Sequence, residues 1–183
     1  MQQTVLAPTR ILVLAAMSGM IPGFGSDQPF QAEVERAAAT PYHTDDPDVA
    51  GFKLRFSVRL TNRSGGALEL PKSGTGDGAT TRVAVLGLEA KRPDGSWSRV
   101  FQSSWYDTGS IKYESCASLP PGGSAEFLDL TSGLLLLDKQ LAGLGNEPTV
   151  RFNLMMFCRQ GDGKVVTKTV TTDGFALRLP ARL

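Results

Sequence analysis

The sequence is poor in the residues that most often carry enzyme chemistry. Its 183 residues include a single histidine, His43, so any Ser-His-Asp or Cys-His machinery would have to use it. The sequence contains neither a Gly-x-Ser-x-Gly elbow nor a Ser-x-x-Lys motif. These absences disfavour an enzyme, and they predict no catalytic residue and no cofactor. We expect His43 to be a surface residue of a polar loop.

An excess of charge of either sign is also missing. Lys and Arg number 19 and Asp and Glu number 18, and no basic stripe stands out, so binding to nucleic acid is not expected. Asp45, Asp46 and Asp48 share one loop and could offer oxygen ligands to calcium. That loop lacks EF-hand spacing and a nearby glutamate, so we expect a solvated loop and no metal site.

Long apolar runs are absent as well, since none reaches the roughly 20 residues that a membrane-spanning helix needs. The apolar run Ile11 to Met20 follows a positively charged start. Two small residues, Gly23 and Gly25, come after it. This order is typical of a signal peptide. We expect residues 1–25 to be a cleaved signal peptide and residues 26–183 to form one domain. The mature protein would then be secreted or periplasmic, with no membrane span; an uncleaved anchor or a disordered start is the alternative.

What the sequence does contain is a pattern of short strands. The clearest lies in the stretch Gly51 to Pro71, where five apolar residues from Phe52 to Leu60 alternate with polar ones. This period of two predicts a strand with one buried face. Asn62 to Gly66 then favours a turn. The 20 glycines and 11 prolines between short apolar runs indicate an all-β sandwich or barrel.

The same reasoning places further strands and one helix. Other strands are predicted at Pro29–Ala38, Ala67–Leu70, Arg82–Arg92, Trp97–Gln102, Ile111–Cys116, Ser124–Leu130, Val150–Cys158, Lys164–Val170 and Phe175–Leu179. Ser132 can cap a helix. Leu134, Leu137, Leu141 and Leu144 follow at helical spacing, so we expect one short helix there.

Two segments resemble a known family. The run Leu54 to Leu70, with its strand, its Thr-Asn-Arg-Ser-Gly turn and its Leu-Glu-Leu-Pro return, is similar to bacterial Ig-like domains, among them the proteinase-inhibitor type. Leu119 to Phe127, which begins Leu-Pro-Pro-Gly-Gly, is similar to the family's second element. The resemblance implies an antiparallel Ig-like β-sandwich. It transfers no inhibitory residue to this chain.

The two cysteines, Cys116 and Cys158, form an even count in a chain that we expect to be exported. In an oxidising compartment this predicts one disulfide, and two buried free thiols are the alternative. A zinc site is not expected, because the cysteines lack the close spacing of a zinc knuckle.

Among the aromatic residues, Trp105 and Tyr106 lie in an irregular stretch and are the candidate binding surface. We expect their neighbours Trp97, Phe101 and Tyr113 to be buried. The predicted function is a non-catalytic module that binds a protein or a polysaccharide or supports the cell envelope. A small extracellular hydrolase or proteinase inhibitor with a loop-borne site is the alternative.

Overall fold

The computed structural model describes residues 28–72, 74–75, 83–102, 113–137, 139–140 and 143–180. Within these ranges the chain forms eleven strands. They are β1 (Phe30–Tyr42), β2 (Val49–Asn62), β3 (Leu68–Pro71), β4 (Gly74–Thr75), β5 (Val83–Lys91), β6 (Trp97–Gln102), β7 (Cys116–Leu119), β8 (Ser124–Leu137), β9 (Thr149–Arg159), β10 (Val165–Thr171) and β11 (Phe175–Ala176). The described part is all-β, as predicted. Residues 1–25, the predicted signal peptide, lie outside it.

The long strand β2 is at the centre of a four-stranded sheet with the order β1-β2-β8-β4. β2 pairs antiparallel with β1 and β8, and β4 pairs parallel with β8. The predicted alternation is confirmed, because Phe52, Leu54 and Phe56 are buried while Lys53 and Arg55 are exposed. β1 forms an edge, as predicted, and continues four residues beyond its expected end.

A second sheet has the order β10-β9-β5-β6, with β11 also pairing with β9. It contains the two predicted hairpins, β5–β6 and β9–β10, both antiparallel. Gly95 and Gly163 adopt positive φ angles of 82° and 87° in their turns, a conformation that glycine adopts without steric cost. In the first turn, hydrogen bonds from Ser96 lower the pKa of Asp94 below its usual value.

The inner faces of the two sheets supply one hydrophobic core. Phe56 of β2 contacts Phe152 of β9, with ring centroids 4.9 Å apart. Phe152 in turn contacts Phe175 of β11 at 5.0 Å. The core therefore joins residues that are about a hundred positions apart in the sequence, as the contact of a buried strand from each sheet requires.

The helix predicted from Ser132 is wrong at its start. Residues up to Leu137 continue strand β8 and pair with the first half of β2. Leu134 is fully buried, whereas Leu137 is 39% exposed, so these two residues lie on opposite faces and do not form a helical stripe. A run of four leucines fits either period, and pairing with β2 decides between them.

A small sheet of β3 and β7 is tied to the second sheet by the predicted disulfide. Cys116 of β7 and Cys158 of β9 are at bonding distance, with an S–S length of 2.05 Å and Cα atoms 4.9 Å apart. The cysteine pairing is thus confirmed at the level of geometry. The strand predicted at Ile111–Cys116 begins only at Cys116, and residues 111–112 lie outside the described ranges.

Asn62 joins the two segments that carry the family resemblance. Its side chain is completely buried, and its Nδ2 donates to the carbonyls of Gly66 at 2.8 Å and Leu119 at 3.0 Å. Its Oδ1 accepts from the backbone and hydroxyl of Ser64. Although Asn62-Arg63-Ser64 matches a glycosylation acceptor, this amide is enclosed and fully hydrogen-bonded, so it is not a surface acceptor in the folded domain.

Candidate ligand-binding surface

The predicted binding residues Trp105 and Tyr106 lie outside the described residues, so their role stays a prediction. Their described neighbours are packed, but not all in the core. Trp97 lies under the guanidinium of Arg151, 4.4 Å from its ring centroid. Tyr113 contacts Phe157 edge-on. Phe101 packs against the core and is only partly buried.

A different surface emerges on the outer face of the four-stranded sheet. Tyr42 is 40% exposed, Leu135 50% and Leu137 39%. Tyr42 and Leu135 are both register partners of Gly51, and Leu137 is the partner of Val49. Residues opposite one another in adjacent strands project to the same side. The three exposed apolar side chains therefore lie together, and we call them the Tyr42 patch.

The ring of Tyr42 lies directly over Gly51. A Cβ atom added to Gly51 would be 2.7 Å from Cε2 of Tyr42 and 2.8 Å from Cγ2 of Thr44. Thr44 is itself held by hydrogen bonds from its hydroxyl to the carbonyls of Val49 at 2.5 Å and Asp46 at 3.1 Å. Only glycine leaves room for this ring, so the sequence places the aromatic side chain against the backbone.

A cavity of about 280 Å³ lies beside this ring. The loop between β1 and β2 lines it with His43, Thr44, Asp46 and Pro47. His43 is exposed, as predicted for a loop residue. Imidazole and carboxylate groups next to an aromatic ring offer both hydrogen bonds and an apolar face to a ligand.

A second cavity, of about 230 Å³, lies further along β2 where both neighbouring strands have a bulge. On one side, Glu35 is an extra residue between Val34 and Arg36 of β1. On the other side, the register of β8 also shifts opposite Ser57. Asp129 lies in that bulge with a positive φ of 53°, and its backbone N–H donates to Ser57 Oγ at 3.2 Å. We call this the bulge cavity.

Charged side chains surround the bulge cavity. Arg55 pairs with Asp129 at 3.1 Å. Arg59 pairs with Glu35 and Glu126 at 2.5 and 2.9 Å. The hydrogen bonds that Arg59 donates to Glu126, and next the charge of Glu35, raise the pKa of Arg59 above its usual value, so this guanidinium remains charged. These pairs are exposed and contribute little to stability.

Two other cations of this face, Arg36 and Lys53, form no ion pair with any side chain in the described ranges. Across the same ranges, no group of three or more His, Cys, Asp or Glu side chains could hold a metal ion. Nor does any helix in the described part of the chain have the length and apolar character needed to cross a membrane.

Sequence reasoning missed the Tyr42 patch for two reasons. The sequence pattern predicts that the first strand ends at Ala38, whereas β1 continues to Tyr42. The helix predicted from Ser132 includes Leu135 and Leu137, whereas both residues belong to strand β8. The signal that could have found them is the glycine at position 51, which interrupts the outward-facing polar residues of β2 and marks a close approach.

Comparison with known proteins finds similar solved structures but does not assign the chain to a family. No protein-family model matches the sequence, and no curated protein matches it either. A Northeast Structural Genomics Consortium target solved by X-ray crystallography aligns with 85% of this chain and 91% of its own, at 13% identity and a TM-score of 0.37. A Bordetella pertussis protein provisionally named ApaA aligns with 84% and 97%, at 17% identity and a TM-score of 0.26.

Proposed function

We propose that this chain is an exported Ig-like β-sandwich module that binds a polysaccharide on the outer face of its four-stranded sheet. The observation that carries the proposal is the exposed ring of Tyr42, fixed over Gly51 beside an open cavity. An exposed aromatic ring can stack on the apolar face of a sugar, and a ring that is already held in place loses little conformational entropy on binding.

The surroundings of the ring suit a sugar. The cavity beside it is lined by His43 and Asp46, which can exchange hydrogen bonds with hydroxyl groups. A second cavity lies on the same face near Ser57. Ser57 lies six positions after Gly51 in β2, which corresponds to about 20 Å at the rise of a strand. An extended polymer could contact both cavities, whereas a small ligand could fill only one.

Export is supported by the Cys116–Cys158 bridge. Disulfides persist mainly in secreted and periplasmic proteins, and the bridge here joins the β3–β7 sheet to the second sheet, close to the hydrogen bond from the Arg159 N–H to the Glu114 carbonyl. The Ig-like assignment is supported by the segment from Leu54 to Leu70 and its link through Asn62 to Leu119.

The proposal is tested with the disulfide-intact protein and a panel of neutral and acidic polysaccharides in affinity gel electrophoresis. We expect Tyr42→Ala to abolish retardation by the polymers that retard the wild type. Gly51→Ala should weaken it as well, because the added methyl group must displace the Tyr42 ring. Gly65→Ala is the matched control, since a Cβ there meets nothing within 4 Å.

Thermal melting of all three variants separates binding from folding. Retardation of Tyr42→Ala equal to that of the wild type would show that the ring is not the binding site. Failure of the wild type to bind any polysaccharide, together with stoichiometric capture of a protein from the envelope fraction by the Tyr42 patch, would replace the polysaccharide with a protein partner.

A further inference from the structure

The bulge cavity is built by an unusual backbone arrangement. Extra residues flank Ser57 on both sides, Glu35 in β1 and one residue of the Leu128–Asp129 pair in β8. Asp129 takes the left-handed conformation, which costs free energy for any residue other than glycine. Bulges often lie beside functional sites, where they redirect side chains. Strained residues also cluster at such sites.

The side chains that line this cavity directly carry one more positive charge than negative charge. Arg36 and Arg55 line it together with Asp129. The carboxylate of Asp129 pairs with Arg55 at 3.1 Å, whereas Arg36 forms no ion pair with a described residue. Of the two guanidinium groups that line the cavity, that of Arg36 is therefore not engaged in an ion pair within the described part of the chain. Guanidinium groups bind carboxylate and sulfate oxygens through paired hydrogen bonds.

The acidic loop at the other end of the surface does not cancel this charge. Asp45, Asp46 and Asp48 precede β2, whereas Arg36 is the register partner of Ser57. At the rise of a strand this separates the two regions by roughly 20 Å or more. The Debye length at physiological ionic strength is about 8 Å, so the two regions act on a ligand separately. Lys53 lies between them and is exposed.

We infer that the bulge cavity is an anion subsite, and that the polysaccharide is an acidic one whose carboxylate or sulfate groups bind at Arg36 and Arg55. The inference rests on the proposed function and specifies its ligand. In this arrangement a sugar ring stacks on Tyr42, and an acidic group of the polymer accepts ionic hydrogen bonds from Arg36. Lys53 adds a positive charge beneath the part of the polysaccharide that lies between them.

The experiment compares three polymers in affinity gel electrophoresis of the disulfide-intact protein: polygalacturonate, dextran sulfate and neutral dextran. Arg36→Gln should weaken binding to the acidic polymers by roughly tenfold or more, the value of one charged hydrogen bond. Asp129→Asn should strengthen it, because Arg55 loses its competing carboxylate while asparagine still tolerates the left-handed conformation. Arg178→Gln removes the same charge from an exposed site after β11 and should change nothing.

Each outcome distinguishes the inference from the proposed function. Preference for polygalacturonate assigns the anion as a uronate, and preference for dextran sulfate assigns it as a sulfate ester. Equal binding of neutral and acidic polymers, unaffected by Arg36→Gln but lost in Tyr42→Ala, would overturn the anion subsite and leave the proposed function standing. Binding of no polymer by the wild type would overturn both.

Discussion

The side-chain amide of Asn62 donates a hydrogen bond to the carbonyl of Leu119, 3.0 Å away and 57 residues along the chain. Two backbone hydrogen bonds run beside it, from Asn62 N–H to Gly123 and from Gly122 N–H back to Asn62, both at 2.9 Å. The end of β2 is thereby joined to the turn between β7 and β8. Since every polar atom of the buried side chain is used, this asparagine holds together two turns that the sequence separates widely.

We expect Asn62→Ala to destabilise the domain by about 2–4 kcal/mol, because it takes the side-chain amide away from the buried carbonyl of Leu119 and from the partly buried N–H of Ser64. Thr61→Ala is the control, since Thr61 is partly exposed and its hydroxyl hydrogen-bonds the exposed hydroxyl of Ser124, 3.0 Å away. Equilibrium unfolding in urea measures both. A loss in Asn62→Ala no larger than that in Thr61→Ala would show that the amide is not a structural link.

Removal of the disulfide in Cys116→Ala/Cys158→Ala should lower the free energy of unfolding by roughly 3–4 kcal/mol, the chain-entropy value for a loop of this size. The bridged residues are 42 positions apart. Non-reducing mass spectrometry of the wild type checks the bond itself, and urea unfolding checks its effect. Two free thiols in the exported wild type would contradict the assignment.

The strand assignment of the leucine run is tested by a pair of neighbouring substitutions. Leu134→Asp should unfold the domain, because it puts a charge into the fully buried core. Leu135→Asp should cost less than about 1 kcal/mol, because that side chain is half exposed. Thermal melting compares them, and similar losses would show that the two side chains do not lie on opposite faces.

Export predicts a defined N-terminus. If the signal peptide is cleaved after Gly25, N-terminal sequencing of the protein recovered from the periplasm or medium should begin at Ser26. The physical basis is the apolar run Ile11 to Met20, which is long enough for a signal-peptide core. An intact Met1 on protein confined to the cytosol would contradict export, and it would also remove the oxidising compartment that the disulfide needs.

Local periodicity predicted the parts of the fold that depend on local sequence. The alternation from Phe52 to Leu60 identified β2 and its buried face, and the Pro93–Ser96 and Arg159–Gly163 turns identified two hairpins. For the leucines from Leu134 to Leu137 the secondary structure was predicted wrongly, because four adjacent apolar residues show neither a helical nor a strand period. Their conformation is set by pairing with β2, which is a tertiary contact.

The candidate surface depends almost entirely on such tertiary contacts. Tyr42 matters because register places it opposite Gly51, and Leu135 matters because β8 pairs on the other side of that glycine. The bulges at Glu35 and Asp129 have no signature in composition or spacing, since neither residue is a glycine. The disulfide could be predicted because the argument needs only the number of cysteines and an oxidising compartment.

The edge strand β1 also has a consequence for how this protein behaves at high concentration. An unpaired strand edge is a template on which other chains can add, and 13 residues is a long one. Here the edge is interrupted along its length: Asp173 donates to Ala32 near the beginning at 2.7 Å, the Glu35 bulge breaks the register in the middle, and Pro41 offers no N–H near the end. The same bulge that shapes a cavity on the outer face should therefore hinder the addition of a further strand to β1, which among the described strands pairs only with β2.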